Sequence, residues 1–176
     1  VGSEMCIRDS KNYADMFPDE KHFYLNNRGN SYYYRGDYST AIGYFRKVVE
    51  LVKDYPDMSW ALNLSYLNLS DCFLQLNKTD SVVKYLELCQ PFFEELGSTT
   101  ALYYIDTQKI ELALQCKDFA EARRLLAMSK ASPEIDADMI HIRNKYLQQF
   151  YEETGNYRQA YDYLKENKRL DDSIRN

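Results

Sequence analysis

Apolar residues recur along this chain at spacings of three and four, and the recurrence restarts about every forty residues. Four segments align: "GDYSTAIGYFRKVVEL" from Gly36, "NKTDSVVKYLELCQPF" from Asn77, "KDFAEARRLLAMSKAS" from Lys117 and "GNYRQAYDYLKENKRL" from Gly155. Each opens on a turn-compatible residue. Two positions on stands an aromatic or Thr: Tyr38, Thr79, Phe119, Tyr157. Five positions after the start comes a small or β-branched residue: Ala41, Val82, Ala122, Ala160. A large residue follows four later: Phe45, Leu86, Leu126, Leu164. A small and a bulky side chain at i and i+4 share one helix face, so the first admits a neighbouring helix and the second fills the space beside it. The stretch ahead of each turn has the same character. Leu25, Gly29 and Tyr32 fall at i, i+4 and i+7, as do Tyr66, Ser70 and Phe73. One hairpin cannot bury such a face alone, so the pattern predicts hairpins that stack.

Boundary residues predict eight helices. Pro18 opens the first, and Pro56-Asp57 separates the second from the third. Gly97 ends the fourth, and Ser98 or Thr99 caps the fifth. In "ASPEID", Ser132 is the expected N-cap, with Pro133 at the first helical position.

These residues resemble the tetratricopeptide repeat family. "LNNRGNSYYYRGDYSTAIGYF" carries Leu25, Gly29, Tyr32, Ala41 and Phe45 where that family has its signature residues. Leu25 stands for the usual Trp and Arg28 for the usual Leu. The second and third units depart further, with Val82 for Ala and Ile110 at the small position. The resemblance implies an all-α fold, a right-handed α-solenoid of about four helical hairpins. Its units fall at about 22–55, 63–96, 103–136 and 141–174 of one repeat domain, 11–176. It also implies a concave groove lined by the first helix of each unit. Carried over by position, the groove takes Phe23, Asn26, Asn27, Asn30, Tyr33 and Tyr34 from unit one. Unit two gives Leu67, Asn68, Asp71 and Gln75. Unit three gives Tyr104, Thr107, Gln108, Glu111 and Gln115, and unit four gives Lys145, Gln149 and Glu152. Such a surface is rich in amides, with aromatic spots and a slight acidic excess. One subtype of the family grips a terminal carboxylate with cations in this groove. Asn30 and Asn68 match it, but Asn26, Tyr104 and Gln108 stand where the cations should be, so a neutral or basic peptide suits the groove better.

Composition narrows the alternatives. The chain of 176 residues is 45% hydrophobic and 28% charged, which fits a folded protein rather than a disordered one. The net charge is -5 and no long basic run occurs, so neither nucleic acid nor an anionic membrane surface is an expected partner. No apolar run reaches the roughly 18 residues that span a bilayer. Residues 1–10, "VGSEMCIRDS", carry no helical stripe. They resemble a read-through or cloning scar, and without an initiating Met the chain reads as a fragment. Besides Cys6 there, Cys72, Cys89 and Cys116 sit in apolar stretches with no C-x-x-C spacing. They are expected to be buried thiols, with no disulfide framework and no metal site.

No catalytic constellation is legible. His22 and His141 are far apart and outside any H-E-x-x-H pair, and no nucleophile elbow or phosphate-binding glycine loop occurs. The adjacent acids Glu94-Glu95, Glu152-Glu153 and Asp171-Asp172 point apart on a helix. Neither an enzyme nor a bound cofactor is expected. The sequons at Asn63 and Asn68 fall inside a predicted helix, a poor acceptor geometry, and the one at Asn77 is read like them as coincidence.

Two motifs invite competing readings. Arg35-Gly36-Asp37 is an adhesion tripeptide in form, but Gly36 suits a hairpin bend and Asp37 a helix cap. Among the 17 tyrosines, Tyr24, Tyr32, Tyr38, Tyr85 and Tyr157 are expected in the core, while Tyr33 and Tyr34 turn away from it. At the C-terminus, Tyr163, Asn167, Leu170 and Ile174 are spaced 4, 3 and 4 apart, a short heptad seam or the inner face of a capping helix. The ending "DSI" resembles the close of the repeat array in Bacteroidota signalling proteins, where a kinase or DNA-binding output follows. The resulting expectation is a protein- or peptide-binding module, the sensory or scaffolding part of a larger bacterial regulator. The competing expectation is a structural module that self-associates through its terminal helices.

Overall fold

The computed structural model describes residues 16–129 and 134–175, apart from the Ile174 side chain. Among the described residues eight α-helices run in order: α1 Pro18–Tyr34, α2 Tyr38–Val52, α3 Ser59–Gln75, α4 Thr79–Leu96, α5 Thr99–Gln115, α6 Phe119–Met128, α7 Ala137–Glu153 and α8 Tyr157–Arg175. A 3₁₀ turn, Pro56–Met58, leads into α3. The fold is all-α, built of antiparallel helical hairpins. The chain divides into two compact units, one up to Cys89 and the other from Gln90, with α4 passing from the first into the second. Pro91 lies inside α4 just beyond that division and supplies no N–H for the Glu87 carbonyl.

The four aligned repeat starts share one backbone state. Gly36 and Gly155 have φ of 80° and 81°, and Asn77 and Lys117 hold the same left-handed region at 57° and 58°. Each is closed by the same two bonds. In the first, Gly36 N donates to Tyr33 O at 2.9 Å and Asp37 N to Tyr32 O at 3.0 Å. In the third, Lys117 N donates to Leu114 O at 3.1 Å and Asp118 N to Ala113 O at 2.8 Å. This pairing satisfies the last carbonyls of one helix while turning the chain into the next. In the first, third and fourth the residue after the turn also caps the new helix: Asp37 Oδ1 accepts from Thr40 N at 3.2 Å, Asp118 Oδ1 from Glu121 N at 3.1 Å and Asn156 Oδ1 from Gln159 N at 3.3 Å. Arg35-Gly36-Asp37 is therefore a hairpin junction. Its Asp is engaged as the cap, and its Arg guanidinium lies 5.3 Å from the Tyr32 ring centroid.

Gly97 likewise ends α4 at φ 67°, and the Ser98 hydroxyl caps α5 by accepting from Ala101 N. The start of α7 differs from expectation. Ser132 and Pro133 lie outside the described residues, and the helix opens later, at Ala137. Asp136 is its cap and accepts from Met139 N at 2.9 Å.

In the first unit, α1, α2 and α3 enclose two apolar clusters. Ala41, Ile42, Phe45, Leu69 and Cys72 form one, and Leu25, Val48, Val52 and Ala61 the other. The meeting of Gly29 and Phe45 sets the α1–α2 distance. A Cβ on Gly29 would stand 2.6 Å from Cε1 of the Phe45 ring. In the second unit, Ile110, Ala113, Leu114, Ala122, Leu125 and Phe150 bring α5, α6 and α7 together. Helix α8 packs on α7 through the expected seam. Tyr163 stacks on Tyr151 at 5.8 Å, Asn167 Nδ2 donates to His141 O at 3.0 Å, and Leu170 is buried. The Ile174 side chain lies outside the described residues.

Four expectations about burial need correction. Tyr157 is 71% exposed, and the repeat-position residue Leu164 is also exposed, because both lie on the side of α8 turned from α7. Cys72 and Cys89 are buried, but Cys116 is exposed, since it is the C-cap residue following α5. Tyr33 is half-buried against the Ala41–Phe45 cluster, with its ring 5.4 Å from that of Tyr38, so only Tyr34 turns fully away.

Candidate functional site

In the first unit, α1 and α3 carry the expected groove residues. Tyr34 is 85% exposed at the end of α1, and Phe23 and Asn27 are exposed on the same helix. Asn26, Asn30 and Asn68 are half-buried. Asn68 Nδ2 donates to Asn26 Oδ1 at 3.3 Å, which joins the two helices by an amide pair. Gln75 Nε2 donates to Asp71 Oδ1 at 3.2 Å within α3. Asp71 is buried, and Leu67 more completely so.

In the second unit, Tyr104 and Glu111 on α5 are half-buried and Gln115 is exposed, whereas Gln108 is only 1% exposed. On α7, Lys145 and Glu152 are exposed. Gln149 is half-buried, its Nε2 donating to Glu153 Oε1 at 3.1 Å. Thr107 takes another role. Its hydroxyl donates to Tyr103 O at 2.8 Å and accepts from Arg143 Nε at 2.9 Å, so it belongs to the interior. Leu67, Asp71, Thr107 and Gln108 thus present little surface to a partner. Each first helix is flanked by neighbours on more than one side, and positional carry-over does not separate floor from wall.

Arg143 is the residue that sequence reasoning missed. It is 4% exposed on α7 and reaches three places in the second unit. Nε donates to the Thr107 hydroxyl, Nη2 to Tyr103 O at 2.8 Å and Nη1 to the Ser129 hydroxyl at 2.9 Å. Its guanidinium also lies over the Tyr103 ring, 3.8 Å from the centroid. Burial holds the guanidinium below its ordinary pKa, yet an arginine stays charged at neutral pH. The sequence did hold a signal for it. In "MIHIRNKYLQQFY", Arg143 occupies the stripe of Ile140, Leu147 and Phe150, a charge where helical spacing calls for an apolar residue.

Beside Arg143 a cleft of about 730 Å³ opens between α6, α7 and α8. Its apolar lining includes Leu126, Ile140, Leu147 and Phe150, and its polar lining includes Ser129, Asn144 and Asn156.

Little of the titratable chemistry converges. His141 Nε2 meets one carboxylate, Asp171 Oδ1, at 3.0 Å. Burial pushes the Cys72 thiol up to about 12, with Asp71 adding to the rise, so the thiol stays protonated and unreactive at neutral pH. Among the described residues, no group of three His, Cys, Asp or Glu side chains is placed to hold a metal ion. No helix among them is long and apolar enough to cross a membrane.

Comparison with known proteins agrees with this architecture. Residues 22–55 match the tetratricopeptide repeat family model. No curated protein matches the chain. Among solved structures, the crystal structure of BtubC (BKLC) from P. vanneervenii is similar, with a TM-score of 0.66 and 16% sequence identity. The similarity covers 91% of this chain and 66% of that one, slightly less than two thirds of its length. At that identity the likeness is one of fold. The matched segment runs from His22 to Tyr55, through α1, the Gly36 turn and α2, where Gly29 receives Phe45. The chain therefore carries a tetratricopeptide repeat at its first hairpin, within an all-helical repeat fold.

Proposed function

We propose that this chain is a protein- or peptide-binding module that serves as the sensory or scaffolding part of a larger bacterial regulator. The match of its first hairpin to the tetratricopeptide repeat family, whose members generally bind proteins or peptides, carries the reading. The amides of Asn26, Asn27, Asn30 and Asn68 offer donors and acceptors to an extended backbone, and Tyr34 adds rigid contact area. Helices fixed by the Asn26–Asn68 pair hold these groups in place before binding, which lowers the entropy lost on association. The "DSI" ending supports the regulatory context by resemblance alone. The chain's net charge of -5 favours neutral or basic peptides. Fluorescence anisotropy with labelled peptides of matched length tests this preference. A basic peptide binds more tightly than an acidic-tailed one, and the reverse order would refute the charge preference.

A second reading is self-association. The expected seam is already used against α7, but Tyr157, Tyr161 and Leu164 form an exposed stripe at i, i+4 and i+7 on the other side of α8. Light scattering that gives a dimer for the wild-type chain and a monomer for Tyr161→Arg would favour it. A monomer for both removes it.

A further inference from the structure

We propose that the cleft between α6, α7 and α8 binds a small carboxylate carried on an apolar or aromatic body, with Arg143 and Arg123 as its cationic groups. The chain has more acids than bases, 27 against 22, yet among the described residues this cleft is lined by two arginines and by no Asp or Glu. Arg143 is buried, and among the described residues it forms no ion pair; the carboxylate that acts on it, Asp106 of α5, does so without a direct contact. Burying a charge outside an ion pair is costly, and the three hydrogen bonds that Arg143 donates go to neutral acceptors, which fix its position without neutralising it. A guanidinium has five N–H groups. Those bonds use one on each nitrogen, so one remains on each terminal nitrogen for a further acceptor, and a carboxylate supplies two oxygens.

The guanidinium is also preorganised. The Tyr103 ring supports its plane at 3.8 Å, while Thr107 and Ser129 anchor it from α5 and from the end of α6. Arg123 is exposed at the rim, its guanidinium 5.7 Å from the Phe150 ring centroid. Leu126, Leu147 and Phe150 give the body of a ligand an apolar floor. The volume falls within the roughly 300–1,000 Å³ typical of small-molecule sites. The cleft faces away from the expected groove on α7. Ile140, Leu147 and Phe150 line it, while Lys145, Gln149 and Glu152 lie about half a turn around the helix. If Arg143 served only to tie α5, α6 and α7 together, neutral donors would suffice. The absence of a direct ion pair and the acid-free lining are what point to an anion.

The carboxylate could belong to a free acid or to a peptide terminus. Calorimetric titration of the full chain with 3-phenylpropionate and its amide, and with N-acetyl-Ala-Ala-Phe and its amide, distinguishes the two. At least one acid is expected to bind about tenfold or more tightly than its amide, the effect of a charge-assisted hydrogen bond. Arg123→Ala weakens that binding, and Ala127→Trp, which plugs the cleft from an exposed position on α6 without removing Arg143, abolishes it. If only the peptide acid binds, the ligand is a chain terminus. If only the free acid binds, it is a small molecule. Both outcomes support the site. Equal affinity for acid and amide would overturn it. So would no saturable binding of any probe up to about 10 mM, or binding that survives Ala127→Trp.

Discussion

Replacing Phe45 with alanine is expected to lower the stability of the first unit by about 3–5 kcal/mol, the cost of removing a buried aromatic ring from a close-packed core. Phe45 is 1% exposed and stands among Ala41, Ile42, Leu69 and Cys72, with its ring edge against Gly29. Collapse cannot fill the space, because the facing position on α1 carries no side chain to move in. Typical domain stabilities are about 5–15 kcal/mol, so the loss is a large fraction of the total. The single tryptophan, Trp60, begins α3 in the same unit. Urea unfolding followed by its fluorescence reports the change locally. A loss under about 1 kcal/mol would mean that the ring does not hold α1 to α2.

Filling the same space from the opposite side is the second large effect. Gly29→Val places a Cβ within 2.6–2.9 Å of three atoms of the Phe45 ring, and its two methyl groups add to the conflict. The ring is enclosed and cannot swing into solvent, so helix α1 must move or the ring must leave its rotamer. Such overpacking costs about 1–3 kcal/mol, occasionally more, and it outweighs the 0.5–1 kcal/mol or so that a helix gains by losing a glycine. The mechanism predicts coupling. Gly29→Ala should be less costly in a Phe45→Leu background than in the wild type, because the smaller side chain vacates the atoms that clash. Strictly additive effects in the urea titration would show that the two residues do not share one space.

Much of this fold was legible because its determinants are local. The turns needed a left-handed residue at a fixed interval, and Gly36, Asn77, Lys117 and Gly155 all adopt that state. Lys117 does so without the usual residue type, carried by the pattern around it. Gly29 between Leu25 and Tyr32 marked a close helix crossing, and Phe45 is the side chain that meets it there. What failed depends on neighbours. Tyr157 and Leu164 occupy repeat positions but have no helix over them among the described residues. Tyr33 packs inward because the short Gly36 turn brings Tyr38 to it. Asp136 caps α7, and the expected cap Ser132 lies outside the described residues. Arg143 and its cleft are assembled from α5, α6, α7 and α8. Only its place in an apolar stripe was visible beforehand, and the three acceptors that hold it were not.

We propose that the amides and Tyr34 of the first unit bind a peptide. Peptides enriched from a random display library on the wild-type chain should be measured against the Tyr34→Ala, Asn68→Ala double variant, with circular dichroism confirming that the variant keeps its helices. Affinity is predicted to fall by about tenfold or more, since removing a central aromatic and an amide contact costs that much in peptide interfaces. Equal affinity for the folded variant would place binding elsewhere on the molecule and contradict the account.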